Sequence, residues 1–272
     1  MNSITKTTKN HKRALLFTVI LFICIQSFAQ GTADWQLEKM PVDLETDYAL
    51  SALPPHLRHD ATVYLLDPQK GYYVAHQGSN GYICFIARTE WEWSDYRNDV
   101  CTPISYDAEG AGSIFPIYMA VAAMRASGKY QATQIRDSII HRIVTGVYKA
   151  PSKPGISYML APVMRVYPAG PDVKEPITIS MPHYMLYAPY LSVANARYKQ
   201  GTDGLMLANP DNSILGDGKG PYGYVIIPSG ESEKAVIVED GKDLLKRLVA
   251  YKAYFKTEPG SEHHHGQTEK NQ

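Results

Sequence analysis

Three short apolar runs between residues 61 and 89, ATVYLL (61–66), YYVAHQ (72–77) and YICFIART (82–89), are separated by the turn sequences DPQKG and GSNG. Runs rich in β-branched and aromatic residues and bounded by Asp-Pro and Asn-Gly turns carry the hairpin signature. The stretch predicts a three-stranded antiparallel meander. On its third run Tyr82, Cys84 and Ile86 point one way and Ile83, Phe85 and Ala87 the other. Both sets are largely apolar, so that strand needs cover on both faces.

The remaining chain offers that cover. Residues 30–51 alternate weakly and form an N-terminal arm that ends at LPPHL. A stretch of more than 20 residues without clear period, EWEWSDYRNDVCTPISYDAEGAG, follows the meander and reads as a long loop. Ser113 then caps a helix that stops at Gly128. A second helix spans about 131–149, with Ile135, Ile139, Ile143 and Val147 in one i, i+4 stripe. Strands are predicted at 156–167, broken near Pro162, at 177–187, broken at Pro182, and at 222–227. A final helix, weakest at Gly241, covers about 231–255, and the tail 257–272 has nothing apolar to anchor it. The order β-β-β-α-α-β-β-β-α lacks βαβ alternation and predicts an α+β fold, an antiparallel meander plus further strands packed with three helices, in a single domain over 30–256.

The first 29 residues stand apart. Lys6, Lys9, Lys12 and Arg13 precede an apolar run, ALLFTVILFICI, and Ser27 and Ala29 supply a small-residue cleavage site. That is the pattern of a secretory signal peptide, and the run is too short to span a bilayer. The expected mature chain is exported, periplasmic or extracellular, with no stable membrane anchor. Losing four of 27 basic residues and none of 27 acidic ones leaves it at net −4. A mildly acidic chain without a basic cluster lacks the footprint of a nucleic-acid binder. In an oxidising compartment Cys84 and Cys101 most simply form a disulfide, which would close a loop of about 17 residues and tether the long loop; two buried free thiols are the other reading.

No HExxH, GxSxG, Walker lysine or EF-hand loop is present. In SYDAEG, Asp107 and Glu109 would share one side if extended and could serve as a general acid and base, or simply cap the helix that follows. The two glycines of EGAGS could hold an anion at a helix start or merely turn the chain. In MPHYM an extended backbone would align Met181, His183 and Met185, a soft ligand set, although methionine is ordinarily a core filler; no metal site is predicted. EWEW puts Trp91 and Trp93 on one face if extended, available for stacking or for the core.

The segments ALPPHLRHDATVYLLD, GYYVAHQGSNGYICFIART, SYDAEGAG, PGISYMLAPVMRVY, SMPHYMLYAP and GYVIIPSGESEKA resemble those of a group of exported bacterial proteins of unassigned function. The resemblance implies one coherent domain with an export signal and carries over no catalytic residue. The leading functional expectation is an exported domain that binds a small molecule, of unknown identity, in a tyrosine-rich pocket containing Tyr106, Tyr158, Tyr184 and Trp91. A hydrolase using His183 with Asp107 or Glu109, and a structural or interaction protein without a small-molecule site, are the alternatives. No cofactor is indicated.

Overall fold

The DPQKG turn does what its residues predict. Asp67 accepts the Gln69 N–H through its side chain at 2.9 Å and the Lys70 N–H through its carbonyl at 3.1 Å. This closes a hairpin between β1 (Thr62–Asp67) and β2 (Gly71–His76). In this computed structural model, residues 35–167, 175–191, 206–208 (backbone only) and 220–257 are described. The described residues from Glu38 onward belong to one compact unit. The expected signal peptide and the tail beyond 257 lie outside the described residues.

The GSNG segment corrects the expected order of the first three strands. The chain crosses the start of β1 there, and β3 (Ile83–Ala87) lies beside β1 in parallel, with Thr62 opposite Ile83 and Val63 opposite Cys84. The crossing is fixed by Asp60, whose carbonyl accepts from the N–H groups of Ser79 (2.8 Å) and Asn80 (3.1 Å). The Asn80 side chain adds a bond to the Leu57 carbonyl at 2.8 Å. Asn-Gly turn chemistry is thus present but is used for a crossover. The antiparallel meander runs instead through β3, β4 (Thr102–Tyr106) and β5 (Ile156–Met159).

Among the described residues the sheet has eight strands in the order β2-β1-β3-β4-β5-β8-β10-β9, with β8 at His183–Tyr187, β9 at Met206–Ala208 and β10 at Tyr224–Pro228. Prolines 162 and 182 break the two predicted runs, and the halves part company. β5 and β8 sit centrally in the large sheet, while β6 (Met164–Val166) and β7 (Ile177–Ile179) form a separate two-stranded sheet.

The α+β class holds, with more helices than expected. The N-terminal arm contains helix α1 (Val42–Leu50), followed by the short α2 (Pro55–Arg58). The first predicted helix is α4 (Phe115–Ala126), preceded by an unexpected helix α3 (Ala108–Ser113), so Ser113 ends α3 and Ile114, not Ser113, is the N-cap of α4. Helix α5 (Ala132–Val144) buries Ile135, Ile139 and Ile143 and ends before the exposed Val147. Gly241 divides the last helix into α6 (Glu231–Asp240) and α7 (Lys242–Tyr251). Strand alternation sends Cys84 and Ile86 of β3 into one core with Tyr48 of α1, Leu248 of α7 and Phe255. It sends Phe85 to the opposite face against Phe115 of α4, at 4.7 Å between ring centroids. Among the described residues no helix is long and apolar enough to cross a membrane.

The expected disulfide is not formed: Cys84 and Cys101 are buried free thiols. The β3–β4 register explains why. Cys84 stands opposite Ser105, four residues along β4 from Cys101. At about 3.3 Å per residue that is roughly 13 Å, beyond the 4.4–6.8 Å between Cα atoms that a disulfide spans. Burial pushes both thiols up from their ordinary range. Buried arginines tether the long loop instead. Arg88 donates to the carbonyls of Val100 (3.0 Å) and Asn98 (2.7 Å). Arg125 donates to the Arg88 carbonyl at 2.7 Å and to that of Tyr96.

Candidate functional site

Asp107 and Glu109 serve the fold. Asp107 is the N-cap of α3, with an extended backbone, and its Oδ1 accepts the Gly110 N–H at 3.0 Å. Its Oδ2 takes the Ile156 N–H at 2.8 Å, and the Tyr187 hydroxyl donates to Oδ1 at 3.0 Å. One carboxylate therefore joins a helix start to two sheet strands. The close quarters explain two glycines: a Cβ on Gly110 would lie 2.1 Å from the Tyr187 hydroxyl oxygen, and one on Gly155 would lie 2.4 Å from Asp107 Oδ2. The Gly110 N–H is already taken and Gly110 serves close approach, whereas a Cβ on Gly112 would meet nothing within 4 Å. Glu109 turns the other way and accepts from the Ser152 hydroxyl at 3.0 Å and from the backbone N–H groups of Ser152 and Lys153. The Ser152 N–H, followed by the other donors, holds its carboxyl below the ordinary glutamate range against the opposing effect of desolvation.

His183 does not join them. It begins β8 opposite Met159, whereas Asp107 pairs through its N–H with the Ile156 carbonyl at 3.3 Å. Three residues along the strands and two strand spacings across place the His183 and Asp107 Cα atoms roughly 14 Å apart. The imidazole is buried with Nδ1 2.7 Å from the Met181 carbonyl, a contact that requires Nδ1 to carry the proton. The MxHxM alignment thus turns its histidine onto its own backbone. Among the described residues no three His, Cys, Asp or Glu side chains group as a metal could require.

The four aromatic candidates divide between the sheet's faces. Ser105 registers with Tyr158 and Tyr106 with Ser157, so Tyr158 and Tyr106 point oppositely. Tyr158 and its direct cross-strand partner Tyr184 meet edge to face at 5.7 Å. Tyr82 adds a third ring 5.8 Å from Tyr158, and the Tyr184 hydroxyl donates to Glu233. Tyr106 is buried on the other face, with its hydroxyl oxygen 3.5 Å from that of Tyr224.

Trp91 lies on this second side, in a cavity of about 40 Å³ lined by Glu92, Tyr118, Tyr222 and Tyr224 with Ile114 and Ile117. EWEW is not extended. Residues Trp91–Trp93 form a 3-10 turn closed by Ser94 at φ 57°. The turn separates the tryptophans: Trp91 is buried, whereas Trp93 meets Tyr167 edge to face at 6.2 Å. Tyr118 comes from α4, Tyr224 begins β10, and Tyr222 lies in the turn just before it. Tyr106, Tyr187 and Tyr224 continue the cluster toward Asp107, with Tyr187 and Tyr224 centroids 6.1 Å apart. Burial first, then Glu92, Tyr224 and Glu90, pushes the Tyr118 hydroxyl well above its ordinary range, so it stays a neutral phenol.

Tyr118, Tyr222, Tyr224 and Glu92 were not among the sequence candidates. One signal was available: PYGYV sets two tyrosines across a glycine at the start of the predicted strand 222–227. A cavity of this size holds a few waters or the tip of one small group. No protein-family model, no curated protein and no solved structure matches this chain.

Proposed function

We propose that the protein is an exported domain that binds a small ligand by taking one of its groups into the Trp91 cavity. The observation that carries this reading is the convergence of Trp91 and three tyrosines from three separate elements, with one carboxylate, around a single opening. Aromatic walls with a few polar atoms are the usual lining of a ligand site. The cavity is well below the 300–1,000 Å³ of sites that engulf drug-sized molecules, so most of the ligand stays outside it. His183 and the two acids have no part in this reading, because their contacts hold the fold together and do not converge.

A fragment screen followed by amide and indole resonances tests it. Binders should shift the Trp91 indole N–H saturably, and Tyr118→Leu should abolish the shift while the fold is retained. A diverse set of small amines, alcohols, sugars and carboxylates that leaves Trp91 and its neighbours unmoved would end the reading. Export is tested separately, by the mass of the protein recovered from outside the cytoplasm: cleavage after Ala29 leaves Gln30 as the first residue.

A further inference from the structure

We propose that strand β2 is a self-association edge, on which a second copy of this chain pairs antiparallel, β2 against β2, and continues the sheet across a two-fold axis. The inference is independent of the ligand reading above.

β2 ends the large sheet, with β1 on one side of it. In an antiparallel pair alternate residues direct their N–H and C=O groups away from the neighbouring strand, so an end strand presents a row of them outward. Apart from the ladder with β1, no backbone hydrogen bond joins residues 71–77 to the other described residues. Tyr73, Val74, Ala75, His76 and Gln77 are all exposed, Tyr73 at 37% and Val74 at 44%. Edge strands that stay single are ordinarily blunted by lysine, proline or other charges. GYYVAHQ (71–77) contains no Lys, Arg, Asp, Glu or Pro. Its one protective feature is a bulge, where the register shifts between Val63 and Tyr64 and leaves Ala75 as the extra residue on β2. The run from Gly71 to Val74 is uninterrupted.

The charges at the two ends of β2 select a second copy as the strand that fits. At one end stands Lys70, exposed and directly before Gly71. At the other, Asp60 lies against the chain that follows Gln77: a Cβ on Gly78 would be 2.2 Å from the Asp60 carbonyl oxygen, and the Ser79 N–H donates to that oxygen at 2.8 Å. The Asp60 side chain is 59% exposed, with His59 Nδ1 2.9 Å from its Oδ1. An antiparallel pair with its axis at Val74 sets Gly71 opposite the partner's Gln77 and Lys70 opposite the partner's Gly78. Each Lys70 then comes to the end that carries the partner's Asp60, and the two-fold axis makes the match twice. A parallel pair would instead set Lys70 beside the partner's Lys70 and Asp60 beside the partner's Asp60. β2 has six residues, and a strand pair of that length buries less than the roughly 1,000 Å² of a stable interface. The dimer is therefore reversible and depends on concentration.

Sedimentation equilibrium of the exported protein tests this. The parent should pass from monomer to dimer as concentration rises. Val74→Lys sets two like charges together at the axis and should weaken the dimer at least about tenfold, with an unchanged circular dichroism spectrum. Lys70→Glu should weaken it by about threefold to tenfold, because two exposed ion pairs are reversed at once, and adding Asp60→Lys should restore the parent's dissociation constant. A chain still monomeric at about 1 mM, or a dimer indifferent to Val74→Lys, would overturn the proposal. A double charge variant no tighter than Lys70→Glu alone would overturn the antiparallel arrangement. A monomer that instead captures an extended peptide of alternating apolar residues, and loses it in Val74→Lys, would give the edge to a foreign strand and overturn self-pairing.

Discussion

Asp107 shows how one side chain can be read as chemistry and turn out to be architecture. Its carboxylate accepts from Gly110, Ile156 and Tyr187, and if the oxygens are removed the two N–H groups lose this partner while the Tyr187 hydroxyl keeps the Ile156 carbonyl at 3.2 Å. N-cap loss costs about 1 kcal/mol, and a buried donor left unsatisfied costs about 1–3 kcal/mol. Asp107→Ala is therefore expected to destabilise by about 2–4 kcal/mol in chemical denaturation; a loss below about 0.5 kcal/mol would show that the clamp does not matter. The glycine beneath it is equally constrained. In Gly110→Ala the new methyl meets the Tyr187 hydroxyl at 2.1 Å. Overpacking of this kind costs about 1–3 kcal/mol, and the Tyr187–Asp107 bond should break with it. Pairing Gly110→Ala with Tyr187→Phe, which removes the clashing oxygen, should recover part of the loss, and a strictly additive double variant would refute the assigned contact.

Strands and helices were legible where a local signal decides them, and illegible where partner choice does. Pro162 and Pro182 marked two breaks that the structure keeps, and Gly241 marked the division of the last helix. Nothing local says that β5 and β8 enter one sheet while β6 and β7 form another, or that the GSNG segment crosses β1. Those outcomes depend on contacts distant in sequence, such as Asp60 with Ser79 and Asn80. The cavity was barely legible for the same reason: of its lining residues only Trp91 was a candidate, and Tyr118 of α4 and Tyr224 of β10 join it only through contacts distant in sequence. The cysteines make the point quantitatively, because compartment and count favoured a bond that a four-residue offset in register forbids. Unfolding without reductant, then alkylation, should modify both Cys84 and Cys101, while the folded chain should protect both; labelling that requires prior reduction would contradict the register. The arginine tether makes its own prediction. Arg125→Met removes the bonds to the carbonyls of Arg88 and Tyr96, so tryptic cleavage at Arg97 should accelerate by on the order of tenfold, as expected when local opening becomes easier. An unchanged rate would assign the loop's order to something else.

At the scale of the whole molecule, buried acids set an unusual dependence of stability on pH. Desolvation raises Glu45 from 4.5 to about 7, against the opposing bond from the Leu66 N–H and the charge of Arg88. The folded chain then keeps a proton that the unfolded chain has already released, so stability falls as pH rises from about 4.5 to 7 and levels off above. Glu90, raised to about 8 by burial and then by Asp95, extends the decline. Asp99 acts in the opposite sense. Burial would raise it, but hydrogen bonds from Arg97 and Arg165 prevail and hold it below its ordinary value of 3.8. Its contribution is present above that value and is lost as pH falls through the lower folded one. The two slopes leave a maximum near about pH 4–5, more acidic than the usual range of about 5–8. Thermal unfolding between pH 3 and 9 checks the position of the maximum, and Glu45→Gln checks its cause. The amide keeps an acceptor for the Leu66 N–H, which Glu45 holds at 2.8 Å, and removes the titration. The variant should gain on the order of 3 kcal/mol over the parent at pH 8 and little at pH 4, since Glu45 is only 2% exposed and one pKa unit corresponds to about 1.4 kcal/mol. A parent chain whose melting temperature climbs from pH 4.5 to 7, or a variant that keeps the parent's slope, would show that Glu45 is ionised in the folded protein and that the arginine-rich interior around it neutralises the charge.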